Sequence, residues 1–323
     1  MDRDWLKNIP ERPVYLYGKA PIFKYLRLNA DKHPEKTAII FYGREISYKE
    51  LDESSNRFAN YLINLGLNKG DRVGIFMGSC PQYIIAFFGI QKMGGVSCIM
   101  DPYFSEPELD YAVNDARMSV IVSLDLLIPR ITSTRNRFPT VKQVVSTNFS
   151  DYLPEQPSLT LTDDMRFMPQ LVKGADDFML IQETMDAGSK AVEIDMEKDI
   201  GLIEYSGLAK KEWNHRDLLY HPLQMAYTRD LNGDLTELTC MPLNLIAGLA
   251  GALGIVIMGA TNIMLSQFEP LTVFEAIEKY QVDRLYTDDF SRARILNHPD
   301  VSKYDLSSLK ANPREPNPPI EEV

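Results

Sequence analysis

Two hydrophobic periods alternate along the first half of the chain. Residues 38–41 are a short apolar run turned by Gly43, the signature of a buried strand. Ser47, Tyr48, Lys49 and Glu50 then form a capping box, in which a serine oxygen and a glutamate carboxylate each satisfy an unpaired helix amide. Behind it Leu51, Phe58, Tyr61, Leu62 and Leu65 recur at helical spacing, and Gly66 ends the repeat; this predicts an amphipathic helix. Residues 71–77 predict a strand, and 81–94 a helix with proline in its first turn and glycine past its end. Residues 95–100, 119–123 and 141–146 predict further strands, and 105–116 a short helix started by Ser105. Strands separated by helices point to a parallel sheet covered on both faces.

The alternation resumes after residue 200. Strands are expected over 201–205, 235–241, 261–265 and 284–286, and helices over 215–228, 246–258, 270–280 and 290–297. Ser206-Gly207 opens a turn after the first of these strands, and 208–214 reads as a tightened turn carrying solvated Lys210 and Lys211. Residues 149–198 carry prolines and clustered acids with little strand pattern. A structureless stretch of that length is unusual in a compact domain, so one packed amphipathic helix is expected near 176–185. The expected organisation is a first α/β subdomain over 1–148, a variable insertion or linker over 149–198, a second α/β subdomain over 199–310, and a proline-rich tail over 311–323. That tail holds four prolines in 13 residues and fits an extended segment better than a helix or central strand.

Composition narrows the class. With 323 residues, 45% hydrophobic and 24% charged, the chain is an ordinary globular one. A net charge of -11 repels phosphate backbones and argues against nucleic-acid binding. Cys80, Cys98 and Cys240 are few, odd in number and set in apolar runs, as buried free thiols in a reducing compartment are. No secretory signal is read at the N-terminus, and the expected location is cytoplasmic. The uncharged run 241–265 is long enough to raise a membrane helix, but Gly248, Gly251, Gly254, Gly259, Asn244 and Asn262 dilute it. A buried helix followed by a strand from Thr261 is the better expectation. His33, His215, His221 and His298 show no zinc spacing, and no nucleophile elbow, H-E-x-x-H or Cys-x-x-Cys motif occurs.

Several stretches in the right order carry a resemblance. Residues 36–96 (KTAIIFYGREISYKELDESSNRFANYLINLGLNKGDRVGIFMGSCPQYIIAFFGIQKMGGV), 101–123, 241–265, 268–286 and 296–310 resemble the large N-terminal domain of adenylate-forming enzymes, the AMP-dependent synthetase/ligase superfamily. That superfamily includes acyl-CoA synthetases, firefly luciferase and nonribosomal peptide adenylation domains. The resemblance is nearest to fatty-acid and aryl acyl-CoA ligases. It implies an α/β fold of layered, mostly parallel sheets flanked by helices. Such enzymes join a carboxylate to AMP using ATP and magnesium, then usually pass the acyl group to CoA.

The family's phosphate loop runs Tyr-Thr-Ser-Gly-Thr-Thr-Gly-X-Pro-Lys-Gly, with a His-Arg-Asn-Leu helix start soon after. The matching positions here are Tyr205, Ser206, Gly207, Lys210, Lys211 and His215. The threonines, later glycines and proline of the loop are missing, and Leu208, Glu212 and Trp213 stand among the rest. The family's acyl-pocket wall corresponds to Leu243, Asn244, Leu245, Ala247 and Gly248, without its aromatic residue and histidine. Asp288 and Asp289 are paired acids that could attract magnesium, although Asp289 also fits the N-cap of the helix that follows. The resemblance finds no counterpart for the family's Tyr-Gly-X-Thr-Glu segment, its ribose-binding aspartate or its C-terminal lysine. The small C-terminal domain is therefore expected to be absent.

Three readings follow. The first is a catalytically silent acyl-CoA synthetase-like protein without catalytic residues, metal or cofactor. It would bind or scaffold a protein partner, either itself or a full-length relative. The second is an ATP-dependent acyl-CoA ligase, or half of one completed in trans, and only it requires ATP or AMP, magnesium and CoA. The third is a carrier for an acyl or aromatic carboxylate.

Overall fold

The computed structural model describes residues 15–310, apart from residues 134 and 167–171 and the side chain at 164. The N-terminal 14 residues and the expected tail at 311–323 lie outside the described residues.

In chain order the elements begin with α1 (Ile22–Lys32), β1 (Thr37–Phe41), β2 (Arg44–Ser47), α2 (Tyr48–Asn64), β3 (Arg72–Phe76), α3 (Pro81–Lys92) and β4 (Val96–Ile99). Next come α4 (Glu106–Ala116), β5 (Val120–Leu124), α5 (Ile128–Thr132), β6 (Gln143–Thr147), β7 (Asp176–Asp177) and α6 (Phe178–Thr184). The remainder comprises β8 (Ile200–Ser206), β9 (Ala209–Asn214), α7 (His215–Thr228), β10 (Thr236–Thr239), α8 (Ile246–Met258), β11 (Thr261–Met264), α9 (Pro270–Tyr280), β12 (Arg284–Tyr286) and α10 (Asp289–Leu296).

The strands form two sheets, ordered β7-β6-β5-β3-β4-β8-β9 and β12-β10-β11-β1-β2. Pairing is parallel throughout except for two antiparallel edges, β1 with β2 and β8 with β9. Parallel strands buried on both faces must be apolar, and β5 is buried along its whole length, as are β3 and β1 after their first residues. Strand pairing crosses the expected boundary at 148: β1 lies beside β11, and β4 lies beside β8. A connected core of buried side chains runs from Ile22 to Ile295.

Helix ends show why the chain turns where it does. Ser47 accepts from the Glu50 amide at 3.1 Å, but the Glu50 carboxylate pairs with Arg44 at 2.6 Å instead, so only half of the expected capping box forms. Two helices later, at the start of α4, Glu108 Oε2 accepts from the Ser105 amide at 2.7 Å, the glutamate half of a capping box. Asp288, not Asp289, caps α10, accepting from the Ser291 amide at 2.8 Å. Within the expected turn at 208–214, Ala209–Asn214 form the edge strand β9, paired antiparallel with β8. The uncharged run 241–265 forms α8 and β11, and no helix of the described residues is long and apolar enough to cross a membrane. The three cysteines are buried and free.

Loops leaving the C-terminal ends of β3, β8 and β10 meet, joining the two sheets. The Leu243 amide, after β10, donates to Ser79 Oγ, after β3, at 3.2 Å. The Ile246 amide at the start of α8 donates to Glu204 Oε1 on β8 at 3.1 Å. In open α/β sheets ligands bind at this edge, outside the carboxyl ends of the strands.

Candidate functional site

The corner at the end of β8 is a tight hairpin. Ser206 pairs with Ala209, Tyr205 with Lys210 and Glu204 with Lys211, so Gly207 and Leu208 alone make the turn. Gly207 has φ +58°, the left-handed backbone that two-residue hairpins need and glycine adopts freely. Leu208 projects from the tip, 65% exposed.

Tyr205, Lys210 and Lys211 on the hairpin each have a nearby partner. The Lys210 ammonium lies 2.8 Å from Asp115 on α4 and 3.8 Å from Glu212. The Tyr205 hydroxyl donates to the same Asp115 oxygen at 2.7 Å. Lys210 first, and then Tyr205, hold the Asp115 carboxyl below its usual range against a smaller opposing effect of burial. Burial, and then Asp115, push the Tyr205 hydroxyl well up. Lys211 lies over the Trp213 ring, 3.7 Å from its centroid, and Trp213 meets His221 edge-on at 4.7 Å. A Cβ on Gly207 would come within 3.4 Å of Glu108 Oε1. Asp115, Glu108, Glu204 and Glu212 thus surround the turn with negative charge.

His215 begins α7, behind the cap that Asn214 makes with the Asp217 amide at 2.9 Å. Its ring is 1% exposed, and neither nitrogen has a hydrogen-bond partner among the described residues. Burial drives its pKa down to about 4, with Asp199 opposing.

The stretch from Leu243 to Gly248 is closely packed. Leu243 is buried and Asn244 nearly so, whereas Leu245 is 42% exposed. A Cβ on Gly248 would lie 2.1 Å from the Pro242 carbonyl oxygen, so no other residue fits. The Tyr286 ring fills the groove over Gly251 on the same helix, and its hydroxyl donates to the Ala247 carbonyl at 3.3 Å. Both Asp288 oxygens accept from Ser291, at 2.8 and 3.0 Å, and the Ser291 amide is the chief reason its carboxyl stays below the usual range. Among the described residues no group of three or more His, Cys, Asp or Glu side chains could hold a metal ion.

The structure therefore brings Tyr205 and Lys210 together at Asp115, while no hydrogen bond or ion pair among the described residues joins Asp288 or Asp289 to the hairpin. Asp115, Glu108, Glu204 and Ser79 were not singled out from sequence. Glu204 was findable, as a lone charge inside the apolar run Leu202-Ile203-Glu204-Tyr205. So was Glu108, three residues after Ser105.

A pair of mostly parallel sheets whose strand ends converge on one edge is the architecture of the large domain of CoA ligases. Solved structures of an anthranilate CoA ligase in complex with anthranoyl-AMP and of a long-chain-fatty-acid-CoA ligase from Archaeoglobus fulgidus both superpose with TM-scores of 0.77. Identities are 22% and 20%, over 92% and 93% of this chain but 55% and 58% of theirs. This chain belongs to the AMP-binding enzyme family, whose model matches residues 26–205. Among curated relatives it is 29% identical over 296 residues to a long-chain-fatty-acid–CoA ligase of Bacillus subtilis, covering 88% of this chain and 53% of that protein. It is 25% identical over 315 residues to a probable 4-coumarate–CoA ligase of Dictyostelium discoideum, covering 94% and 54%. The chain thus spans about half the length of the curated relatives it matches.

Proposed function

We propose that this chain is a binding or scaffolding relative of the acyl-CoA ligases that does not itself form an acyl-adenylate. The observation that carries this reading is the two-residue turn at Gly207-Leu208. Triphosphate binding by a loop depends on several successive backbone amides turned toward the anion, with small side chains that leave room for it. A turn of two residues leaves no such run of amides, and one of the two carries an exposed leucine. Lys210 is already paired with Asp115. The carboxylates around the turn add repulsion, about 1 kcal/mol per charge pair at 4 Å even in water. Mg-ATP and AMP therefore do not fit this corner, and no chemical step through them is drawn. The family match ending at Tyr205, two residues before Gly207, is consistent with this reading.

A protein partner is supported by exposed apolar side chains that follow parallel strands at their C-terminal ends. Tyr103 follows β4, Leu208 follows β8, Leu245 follows β10 and Phe290 follows β12, with exposures from 42% to 80%. Exposed apolar side chains at several strand ends are surfaces a second protein can cover. A second copy or a full-length relative is the partner we favour. An acyl ligand remains the third reading, and the packing of Gly248 and Tyr286 leaves it little support.

The similarity to acyl-CoA ligases favours a second reading, an ATP-dependent ligase acting alone or completed in trans. ATP–pyrophosphate exchange with a panel of fatty and aryl acids separates the two. No exchange by the pure chain, and none beyond a full-length relative's own rate when the two are mixed, supports the silent reading. Exchange that appears only on mixing supports the split ligase, and exchange by the pure chain overturns the proposal.

A further inference from the structure

Away from the hairpin, a cleft of about 350 Å³ opens between α1, α2 and the segment that crosses from α6 toward β8. That volume is at the small end for ligand sites. The crossing segment is a strap tied at both ends. The Asn60 amide donates to the Asp186 and Gly188 carbonyls at 2.7 and 2.8 Å, and the Lys69 ammonium donates to the Glu193 carbonyl at 2.8 Å. Between these ties Lys190 lines the cleft, with Val192 anchored against Gly94.

The floor is charged but internally balanced. Lys92 is 8% exposed and donates to the Asp52 carbonyl, to Asp52 Oδ1 and to Ser55 Oγ at 2.7, 2.7 and 2.8 Å. Asp52 also accepts from Arg27 Nη1 at 2.7 Å and from Asn56 at 3.2 Å. It is the sole carboxylate lining this cleft, and it is fully engaged.

The rim is not balanced. Lys24 on α1 and Lys190 on the strap line the cleft, and neither ammonium has an ion pair or hydrogen bond among the described residues. Arg27 spends Nη1 on Asp52 and Nε on Asp31, which leaves its Nη2 edge unpartnered. Four cations line the cleft against Asp52 on its floor and Asp31 beside Arg27, a local excess of two positive charges in a protein of net charge -11. A neighbouring cleft across the Arg27–Asp52 ridge carries Asp31, Glu35 and Glu53, so the positive field is confined to the strap side.

We propose that this strapped cleft binds a small phosphate monoester. Two ammonium groups and one guanidinium edge, arriving from α1 and from the strap, suit a dianion with three acceptor oxygens better than a carboxylate with two. The Phe23 and Ala191 side chains, which also line the cleft, give the organic body an apolar wall. The site is independent of the hairpin, and so is its test.

Calorimetric titration of the purified chain with glycerol 3-phosphate, inorganic phosphate and acetate, at one ionic strength held with potassium chloride, tests the proposal. Glycerol 3-phosphate is expected to bind saturably and more tightly than inorganic phosphate. The double variant Lys24→Ala/Lys190→Ala should weaken it at least tenfold with an unchanged thermal melt. Equal affinity in wild type and variant, acetate binding as tightly as glycerol 3-phosphate, or no saturable binding of any of the three would each overturn it.

Discussion

His215 occupies a position that the sequence marks as the start of a helix, and the structure buries it without a hydrogen bond to either ring nitrogen. Its folded pKa of about 4 stands against 6.5 for a free imidazole. The unfolded chain takes up that proton first as the pH drops. The resulting stability is complete above pH 6.5 and is lost as the pH falls through 4, a change of about 3 kcal/mol. Urea denaturation at pH 7 and pH 4 should show this loss in wild type, and His215→Gln should reduce it by most of that amount; an unchanged difference would refute the assignment. Lys92 makes the complementary case of a buried charge held by its partners. Lys92→Met should destabilise the chain by about 3 kcal/mol because it leaves Asp52 buried with Arg27 as its remaining cation, measurable as a lower urea midpoint.

Among the elements, the hairpin separates what sequence reveals from what it hides. Helices α7, α8 and α9 have the bounds expected from periodicity and caps, because each buries an apolar face between clear stops. Strand β9 was invisible. Its residues Ala209, Lys210, Lys211 and Glu212 face solvent at a sheet edge, and Trp213 alone is buried, so no alternation marks it. The same holds for β2, half of which is exposed. The turn opened by Ser206-Gly207 was legible in the sequence, but the tie from Lys210 to Asp115 was not, since 95 positions separate them. That pair is partly exposed, so Lys210→Ala should leave the urea midpoint nearly unchanged, and a clear drop in that midpoint would mean the hairpin depends on it. Gly248→Ala is the severe change in α8. The Cβ would collide with the Pro242 carbonyl, and a loss of more than about 3 kcal/mol, or failure to fold, is expected; a melt within a degree of wild type would contradict the packing.

The whole molecule shares its fold with the solved CoA ligase structures, and a two-residue turn follows β8. The sequence showed alternating strands and helices but not their distribution between sheets. Pairing of β1 with β11 joins residues more than two hundred positions apart, and periodicity carries no information at that range. The charge of -11 makes any contact with an acidic surface unfavourable at long range. The most direct measurement is isothermal titration of Mg-ATP into the pure 323-residue chain. The account predicts no saturable heat up to millimolar nucleotide; a dissociation constant in the micromolar range would contradict it.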